Sequence, residues 1–185
     1  MNTNEAEYSL LIKARNGNKE AYGEIVKIYM RRAYFSALTL LGSHDDALDI
    51  SQEAFIRAYR AIKKFDINKK FFTWYYQILK NLCLNHLRDK FRHSINFSNI
   101  YELLENIKDN GQDVEIMVER NETKKIVWEA LWKLPPEDRE IITAKDIVNA
   151  SYEEIAELLQ IPTGTVMSRL YNARKKLRKI IEEMR

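Results

Sequence analysis

The residues best suited to bind another molecule lie near the end of the chain, where positive charge is concentrated. Six basic residues and no acidic residue occur between Arg169 and Lys179. Hydroxyl, amide and guanidinium groups can hydrogen-bond base edges in a DNA groove, while Lys and Arg pair with phosphates. The pattern favours duplex DNA as a ligand, although a basic solvated helix in an ordinary bundle would look similar. The candidate contacts from this pattern are Thr165, Ser168, Arg169, Asn172, Arg174 and Lys175.

A second candidate binding segment is aromatic. Five of the six residues from Phe71 to Tyr76 carry aromatic rings. Because a helix in so small a domain should not bury rings around its whole circumference, we predict that some are exposed and stack unpaired bases among cations. The alternative is that most of the rings belong to the hydrophobic core. The flanking basic residues are Lys63, Lys64, Lys69, Lys70, Lys80, Arg88, Lys90 and Arg92.

An acidic cluster provides a third candidate surface. Its members are Asp45, Asp46, Asp49 and Glu53, with Gln52 between them. Nucleic acid would be repelled there, so we expect this surface to bind a basic protein surface or a metal. A carboxylate metal site in a helical bundle usually has a Glu three residues before a His, and none of the three histidines follows such a Glu. A protein partner is therefore the better prediction.

Metal and catalytic chemistry are not favoured elsewhere in the chain. Cys83 and His86 are spaced so that both could bind one zinc ion, with His93 further on, but a closed site would need a fourth ligand. A buried thiol and surface histidines are the commoner explanation. The chain also lacks a Ser/His/Asp arrangement and glycine-rich phosphate-binding motifs. None of these patterns therefore predicts a catalytic, cofactor or metal site.

The scaffold that positions these residues is predicted to be helical. The chain has 185 residues, of which 45% are hydrophobic and 31% charged, so it can bury the core of one domain or of two small ones. Its single cysteine cannot form an internal disulfide and its first residues lack a signal-peptide pattern, so we expect a cytoplasmic location. The longest uncharged stretch has eleven residues. A membrane-spanning helix needs roughly 20 apolar residues, so we expect no membrane insertion.

Hydrophobic residues recur at helical spacing along the chain, and no alternating strand pattern appears. The breaks predict two helices in the first forty residues, interrupted at Asn16-Gly17-Asn18, and then helices over about 45–63 and 71–92. Further helices are predicted over 123–134, 137–148, 152–159 and 164–181. Ser151 and Glu154 form a capping-box pattern. The last two helices, joined by a short turn, match the pattern of a helix-turn-helix.

Charge is distributed unevenly along the chain. Residues 1–95 carry a net charge of +6, residues 96–122 a net charge of −5, and residues 123–185 a net charge of +2. Two basic segments separated by an acidic one indicate two modules that bind polyanions and a connector that avoids them. We therefore predict an all-α fold with two helical domains, 1–95 and 123–185, joined by a flexible acidic linker over 96–122.

Taken in order, the motifs resemble those of the extracytoplasmic-function (ECF) sigma factors, the small two-domain initiation subunits of bacterial RNA polymerase. The first regions of that family are matched by LIKARNGNKEAYGEIVKIY and LLGSHDDALDISQEAFIRAYRAI, and its promoter-melting region by FFTWYYQILKNLCLNHLR. Its C-terminal domain is matched by LPPEDREIITAKDIVNASYEEIAELLQIPTGTVMSRLYNARKKL. The resemblance implies a sigma region 2 helical bundle over 1–95 and a sigma region 4 helix-turn-helix over 123–185.

The resemblance implies a role for each surface. The acidic helix is expected to dock on the clamp helices of the largest polymerase subunit through Asp45, Asp46, Asp49, Gln52, Glu53 and Phe55. The loop over 62–70 and the aromatic helix are expected to bind and melt the minus-ten element through Lys63, Lys64, Phe65, Trp74, Tyr75, Tyr76, Lys80, Asn81, Arg88 and Arg92. The helix-turn-helix is expected to read the minus-thirty-five element, with Thr163, Met167 and Tyr171 joining the residues named above, and its domain to bind the flap of the second large subunit.

The implied partners are core RNA polymerase and promoter DNA, both duplex and single-stranded, with nucleotide addition left to the polymerase. Most family members are held inactive by an anti-sigma factor, so such a partner is expected here. The sequence departs from the family pattern at Leu48, Asn85, Gln160, Met167 and Asn172. The last two replace residues that are often basic, which implies an unusual upstream element. The resemblance also implies a binding protein that is not an enzyme and uses no cofactor or metal. Two alternatives stay open: a helix-turn-helix regulator that binds duplex DNA without polymerase, and, behind it, an enzyme of the metal-carboxylate class.

Overall fold

The fold is known from a computed structural model that describes residues 3–95 and 122–184, with side chains over 5–90 and 126–184. Every regular element in these ranges is helical, as the sequence predicted. The N-terminal module contains α1 (Thr3–Arg15), α2 (Lys19–Leu41), α3 (His44–Ala61), a 3-10 turn (Ile62–Lys64) and α4 (Phe71–Ile95). The C-terminal module contains α5 (Glu122–Lys133), α6 (Pro136–Ile142), a π turn (Thr143–Ile147), α7 (Tyr152–Leu159) and α8 (Thr163–Glu183). The predicted linker over 96–122 lies outside the described residues, apart from the first residue of α5.

Side-chain and glycine caps fix the helix boundaries of the N-terminal module. The Asn18 side chain accepts a hydrogen bond from the Ala21 amide at 2.7 Å and so begins α2 at the break that the sequence predicted. Gly42 ends α2 with a φ of +73°, a conformation in which glycine has no Cβ penalty. Ser43 then caps α3 by accepting from the Asp46 amide at 3.3 Å. The three caps lie at the predicted breaks, between α1 and α2 and between α2 and α3.

The segment after α6 differs from the prediction of one helix over 137–148. The α-helix ends at Ile142 and continues as a π turn, in which the Val148 amide donates to the Thr143 carbonyl at 2.8 Å. Hydrophobic spacing does not distinguish these two helix types over five residues. The wider turn directs the carbonyls of Ile147 and Val148 toward α2 of the other module, where Arg32 binds both.

The two modules pack against each other and share one hydrophobic core. Phe35 of α2 stacks on Trp128 of α5 with ring centroids 5.3 Å apart, and the hydroxyls of Thr39 and Thr143 lie 3.2 Å apart in the buried contact. The Trp132 ring occupies the space next to Gly42, where a Cβ would lie 2.5 Å from it. The contact therefore depends on a glycine as well as on apolar side chains.

Over the described ranges, none of the helices combines the length and the apolar character needed to cross a membrane.

Candidate nucleic-acid interface

Helices α7 and α8 form the helix-turn-helix, and local hydrogen bonds set where α7 begins and ends. The Ser151 hydroxyl accepts from the Glu154 amide at 3.2 Å, while the Glu154 carboxylate accepts from the Ser151 amide at 2.6 Å. These two bonds confirm the predicted capping box. Helix α7 ends at Gln160 with a φ of +53°, in the left-handed region that favours glycine. A residue with a Cβ is strained in this conformation, so Gln160 ends the helix at some cost in stability.

The outer face of α8 carries the residues proposed to contact duplex DNA. Val166, Leu170 and Ala173 are buried and attach this helix to its module. Thr165 is half-buried, and the other candidates are exposed: Thr163, Met167, Ser168, Arg169, Tyr171, Asn172, Arg174 and Lys175. All nine candidates therefore lie on one helix whose outer side is accessible to a ligand.

Acidic side chains of the same module hold two of the cations on α8. Arg174 forms a two-point ion pair with Asp146, and Lys176 pairs with Asp138 at 2.5 Å. The neighbouring Lys175 is exposed and forms no ion pair in the described part of the chain. The Arg174 pair is exposed, whereas the Asp138 side chain that holds Lys176 is only 13% exposed. Exposed ion pairs contribute little to stability, so Arg174 can exchange its carboxylate for a phosphate at small cost, while Lys176 is held more firmly. The helix therefore suits a polyanionic ligand.

The aromatic segment is where the structure contradicts a prediction. Four of its five rings are at most 2% exposed and Trp74 is half-buried, so the expectation of several exposed rings is wrong. The reason is that α2 and α3 of the same module pack on α4 and cover its rings, while Glu140 of the C-terminal module lies near Tyr76. The buried rings are those of Phe71, Phe72, Tyr75 and Tyr76.

Tyr75 and Tyr76 are adjacent core residues with different hydrogen bonding. The Tyr75 hydroxyl donates to the Ser51 carbonyl at 2.9 Å, and its ring stacks on Phe55 with centroids 4.4 Å apart. The Tyr76 hydroxyl has no hydrogen-bond partner among the described residues. Burial, followed by the nearby Glu140 carboxylate, raises the pKa of Tyr76 well above its ordinary value. Both side chains are neutral phenols in the core and neither offers a free ring face to a base.

Two further candidates for the minus-ten element are also inside the molecule. Phe65 is 2% exposed and packs on Trp74 with ring centroids 5.0 Å apart. Lys80 lies in the contact between the modules, where its ammonium group ion-pairs with Glu140 at 2.6 Å and donates to the Leu158 carbonyl at 3.0 Å. Neither side chain is free to contact DNA while the modules are packed together.

The accessible part of the same surface is basic and polar. Lys63, Lys64, Asn81 and Arg88 are exposed, and Arg88 donates to the Asn85 side chain at 3.0 Å. Arg92 belongs to α4, but its side chain lies outside the described residues. Trp74 is the partly accessible ring of the aromatic segment. This surface therefore offers cations that can bind phosphates and one ring that can stack on a base.

The acidic helix α3 presents a narrower surface than the sequence indicated. Asp45, Asp49 and Gln52 are exposed at helical spacing, whereas Phe55 is 7% exposed and belongs to the core. Glu53 is half-buried and binds Arg57 at 2.7 Å. Phe55 therefore supports this helix from inside and is not itself a contact surface.

Asp46 is a structural member of the acidic cluster. Its carboxylate lies 3.2 Å from His86 and 3.3 Å from Lys90, both on α4. Burial alone would raise the pKa of Asp46, but Lys90 and His86 outweigh burial and place this pKa below its ordinary value of 3.8. Asp46 thus links α3 to α4 and leaves Asp45 and Asp49 as the outward charges.

Two functional candidates were missed by sequence reasoning. Ile56 is 48% exposed and lies four residues after Gln52, on the same face of α3. Helical spacing from Asp45, Asp49 and Gln52 is the signal that would have identified it. Arg32 is half-buried between the modules, with its guanidinium 4.3 Å from the Phe72 ring and bonded to the carbonyls of Ile147 and Val148. No local sequence signal identifies Arg32, because its partners are more than a hundred residues away.

The spacing of Cys83 and His86 does not correspond to a metal site in the structure. Cys83 is fully buried, and burial raises the pKa of its thiol to about 12. His86 faces Asp46 instead. Among the described residues, no group of three metal-binding side chains lies close enough to hold an ion. The side chain of His93 lies outside the described residues.

Comparison with known protein families yields two matches within this chain. Residues 25–93 match the family model for sigma-70 region 2, and residues 124–177 match that for sigma-70 region 4. The chain is 35% identical to the ECF RNA polymerase sigma factor SigW of Bacillus subtilis, over 93% of this chain and 95% of that protein. It is 30% identical to the RNA polymerase sigma-H factor of Pseudomonas aeruginosa, over 100% of this chain and 98% of that protein.

Two solved structures have similar folds. CnrH, in complex with the cytosolic domain of CnrY, gives a TM-score of 0.67 at 24% identity and covers 96% of this chain and 98% of its own. The sigma factor RpoE of Bartonella quintana, in complex with the anti-sigma factor NepR, gives a TM-score of 0.68 at 20% identity and covers 89% of this chain and 98% of its own. At these identities the likeness establishes the fold.

Proposed function

This chain belongs to the extracytoplasmic-function (ECF) family of RNA polymerase sigma factors, and from that membership we propose how its two modules divide the work of transcription initiation. Residues 1–95 form sigma region 2 and residues 123–185 form sigma region 4, with the acidic segment over 96–122 as the linker. The observation that carries this assignment is the exposed face of α8, which combines hydroxyl groups with cations on the second helix of a helix-turn-helix. A regulator that acts without polymerase is not favoured, because the relatives are initiation factors over nearly their whole length.

Region 4 reads duplex DNA upstream of the start site. The first turns of α8 enter the major groove, as the second helix of a helix-turn-helix does, and place Thr165, Ser168 and Arg169 near base edges. Lys175 and the ion-paired Arg174 lie further along the helix and suit phosphates on either side of the groove. The remaining contacts in this proposal are Thr163, Met167, Tyr171 and Asn172.

Region 2 binds the minus-ten element. Lys63, Lys64, Asn81 and Arg88 make the first contacts because they are exposed, with Arg92 on the same helix. Trp74 is the ring that a flipped or unstacked base reaches first. Phe65, Tyr75 and Tyr76 shape the surface from beneath, and Lys80 joins it when the modules separate. Strand opening of this kind needs no ATP if base capture offsets the few kcal/mol of unstacking.

The acidic face of α3 docks on core polymerase. Asp45, Asp49 and Gln52 project outward and suit a basic helical surface of the largest subunit, while Asp46, Glu53 and Phe55 hold α3 in place. The experiment is Asp49→Ala, which should weaken binding to purified core polymerase. The matched control is Glu20→Ala, another exposed acidic side chain on the N-terminal module, which should leave binding unchanged.

An anti-sigma factor and a cytoplasmic location complete the proposal. The similar structures of CnrH and RpoE are both complexes, with the cytosolic domain of CnrY and with the anti-sigma factor NepR. By analogy this chain has a protein inhibitor that competes with core polymerase. The chain performs binding work without catalytic residues or cofactors of its own, since nucleotide addition belongs to the polymerase.

Run-off transcription tests the function directly. Purified core polymerase and a pooled library of genomic promoters are incubated with and without this protein, and the RNA ends are sequenced. We expect new start sites that share two spaced upstream motifs, and we expect Asp49→Ala to abolish most of them. Binding to library DNA without new starts, by a core enzyme that accepts other sigma factors, would contradict the proposal.

A further inference from the structure

The outer face of α8 contains two large apolar side chains that nothing in the described structure covers. Met167 is 62% exposed and Tyr171 is 68% exposed, the highest values among the large hydrophobic residues of the described chain. They lie four residues apart, so they are neighbours on the same side of the helix. Both occur in the first half of α8, the part that a helix-turn-helix presents to base edges.

The surroundings of this pair are cationic. Met167 and Tyr171 line a surface depression together with five basic residues, Arg174, Lys175, Lys176, Arg178 and Lys179, and one acidic residue, Glu182, so its net charge is positive. A ligand that fits must carry negative charge at its edges and small apolar groups at its centre. The major groove of duplex DNA provides this combination, because phosphates border the groove and thymine methyl groups project into it.

The chemistry of the two side chains decides which base they read. A methionine side chain has no hydrogen-bond donor and only a weak acceptor, so Met167 cannot form the paired hydrogen bonds by which Arg or Lys recognise guanine. Its flexible thioether can pack closely on a methyl group. The Tyr171 ring offers a second apolar surface, and its hydroxyl can reach toward a phosphate at the groove edge.

We propose that Met167 and Tyr171 make this sigma factor select thymine in its upstream element by covering the 5-methyl groups in the major groove. The inference rests on the proposed function, in which α8 reads that element. Beyond that function, the inference names the base that is selected and the two residues that select it. It also explains what Met167 contributes although it cannot hydrogen-bond guanine.

The test removes one methyl group at a time. After run-off transcription has mapped the upstream element, each of its thymines is replaced singly by deoxyuridine, which differs only in lacking the 5-methyl group. Complex formation is then measured with polymerase and the full-length sigma factor. We expect wild-type binding to fall about fourfold for each contacted methyl, the factor that corresponds to one buried methyl-sized group.

Variants assign each methyl to a side chain. For each variant, Met167→Ala and Tyr171→Ala, we expect one promoter position at which replacing thymine by deoxyuridine no longer changes the affinity. The reason is that the side chain that covered this methyl group is absent. Met167→Arg should shift the preferred base at its position toward guanine in the promoter library. The matched control is Ile28→Ala, which removes an apolar side chain that is 54% exposed on α2 and should preserve the thymine preference.

The outcomes separate the inference from the function on which it rests. New start sites with wild-type binding that is equal on thymine and deoxyuridine at every position would overturn the inference and leave the sigma assignment intact. The absence of new start sites would count against the proposed function itself. If Met167→Ala and Tyr171→Ala keep the thymine preference but lose affinity for polymerase, the pair binds protein and the inference is wrong.

Discussion

Tyr75 and Tyr76 allow the contribution of a single buried hydroxyl to the free energy of unfolding to be measured. Both are fully buried, but within the described part of the chain only the Tyr75 hydroxyl has a hydrogen bond, to the Ser51 carbonyl at 2.9 Å. We expect Tyr75→Phe to lower the free energy of unfolding by about 1 kcal/mol, because the Ser51 carbonyl is left without this donor. Tyr76→Phe should leave stability unchanged or raise it, since it removes a buried polar group without a partner. Urea unfolding of the free protein measures both.

Phenylalanine is a more informative substitution than alanine at Tyr75 and Tyr76. Alanine at either position would leave a cavity in the core and cost about 3–5 kcal/mol, so a loss of activity would report unfolding. If Tyr76→Phe destabilises the protein as much as Tyr75→Phe, then the Tyr76 hydroxyl has a partner in solution and the present account of this residue is wrong.

The sequence predicted the residues of α8 better than those of α4. Polar residues such as Ser168 and Arg169 interrupt the apolar spacing of α8, so their exposure follows from periodicity alone. The rings of α4 gave no such signal, because aromatic residues on every side of a helix can be either exposed or covered by other helices. What covers them is α2 and α3, through ring contacts such as Tyr29 with Phe72, which join residues far apart in the chain.

At the scale of the element, the boundary at the end of α2 requires a glycine. Gly42 has a φ of +73°, and a Cβ at this position would lie 2.5 Å from the Trp132 ring. We expect Gly42→Ala to cost at least about 1 kcal/mol from the left-handed backbone alone. Displacement of the Trp132 ring adds to this loss. Thermal unfolding and small-angle scattering should show a less stable protein with a larger radius of gyration.

Gly23 provides the matched control for that substitution. It lies in the interior of α2. Apart from its chain neighbours and the backbone of its own helix, no heavy atom of the described residues lies within 4 Å of the position that its Cβ would occupy. Alanine has the higher helix propensity, so Gly23→Ala should stabilise the protein by roughly 0.5–1 kcal/mol. Equal effects of the two substitutions would contradict a specific role for Gly42 in the module contact.

The capping box of α7 predicts a dependence of stability on pH. Burial raises the pKa of Glu154, but the hydrogen bond from the Ser151 amide and the nearby Lys70 outweigh it, so the pKa lies below its ordinary value of 4.5. A lowered pKa in the folded state contributes stability above pH 4.5, and this contribution is lost as pH falls through the folded-state value. Glu154→Gln should therefore cost roughly 0.5–1 kcal/mol at neutral pH and progressively less in acid.

Urea unfolding of wild type and variant between pH 7 and pH 3 measures this difference. Glu157→Gln is the control, because Glu157 is exposed on the same helix and lies outside the capping box. A Glu154→Gln deficit that is constant across the range would mean that shape, not charge, is responsible.

The elements themselves were largely predictable, whereas the way they end was predictable only where a side chain marks the boundary. Asn18, Ser43 and Ser151 are recognisable caps, and each begins a helix within a residue or two of its predicted start. The π turn after Ile142 has no such marker. Its backbone hydrogen bonds join residues that are five apart instead of four, while its apolar residues keep nearly the same spacing as in an α-helix.

At the scale of the whole molecule, the packing of the two modules conflicts with simultaneous binding to separate promoter elements. Lys80 of region 2 is held by Glu140 and by the Leu158 carbonyl of region 4. The ion pair is about four-fifths buried, so breaking it has a larger effect than breaking a surface pair. We expect Glu140→Gln to weaken the contact by about 3 kcal/mol, a factor on the order of 100 in the equilibrium between packed and separated modules, because the Lys80 charge is left buried without its partner.

Two measurements examine Glu140→Gln in the full chain. Small-angle scattering should give a larger radius of gyration for the variant, and binding of a single-stranded minus-ten oligonucleotide should tighten, because Lys80 is released. Glu157→Gln, on the same module but outside the contact, should change neither. Weaker oligonucleotide binding by Glu140→Gln would show that the packed arrangement is the one that binds DNA.

The positions of the tryptophans give the protein an optical property. Two of its three tryptophans lie at the module contact, Trp128 stacked on Phe35 and Trp132 against Gly42, while Trp74 lies among the rings of the N-terminal core. Separation of the modules would move Trp128 and Trp132 into water and shift their emission to longer wavelength. The intrinsic fluorescence of the unlabelled chain, with Trp128→Phe and Trp132→Phe to assign the signal, should therefore report in real time when polymerase, promoter or an inhibitor opens or closes this sigma factor.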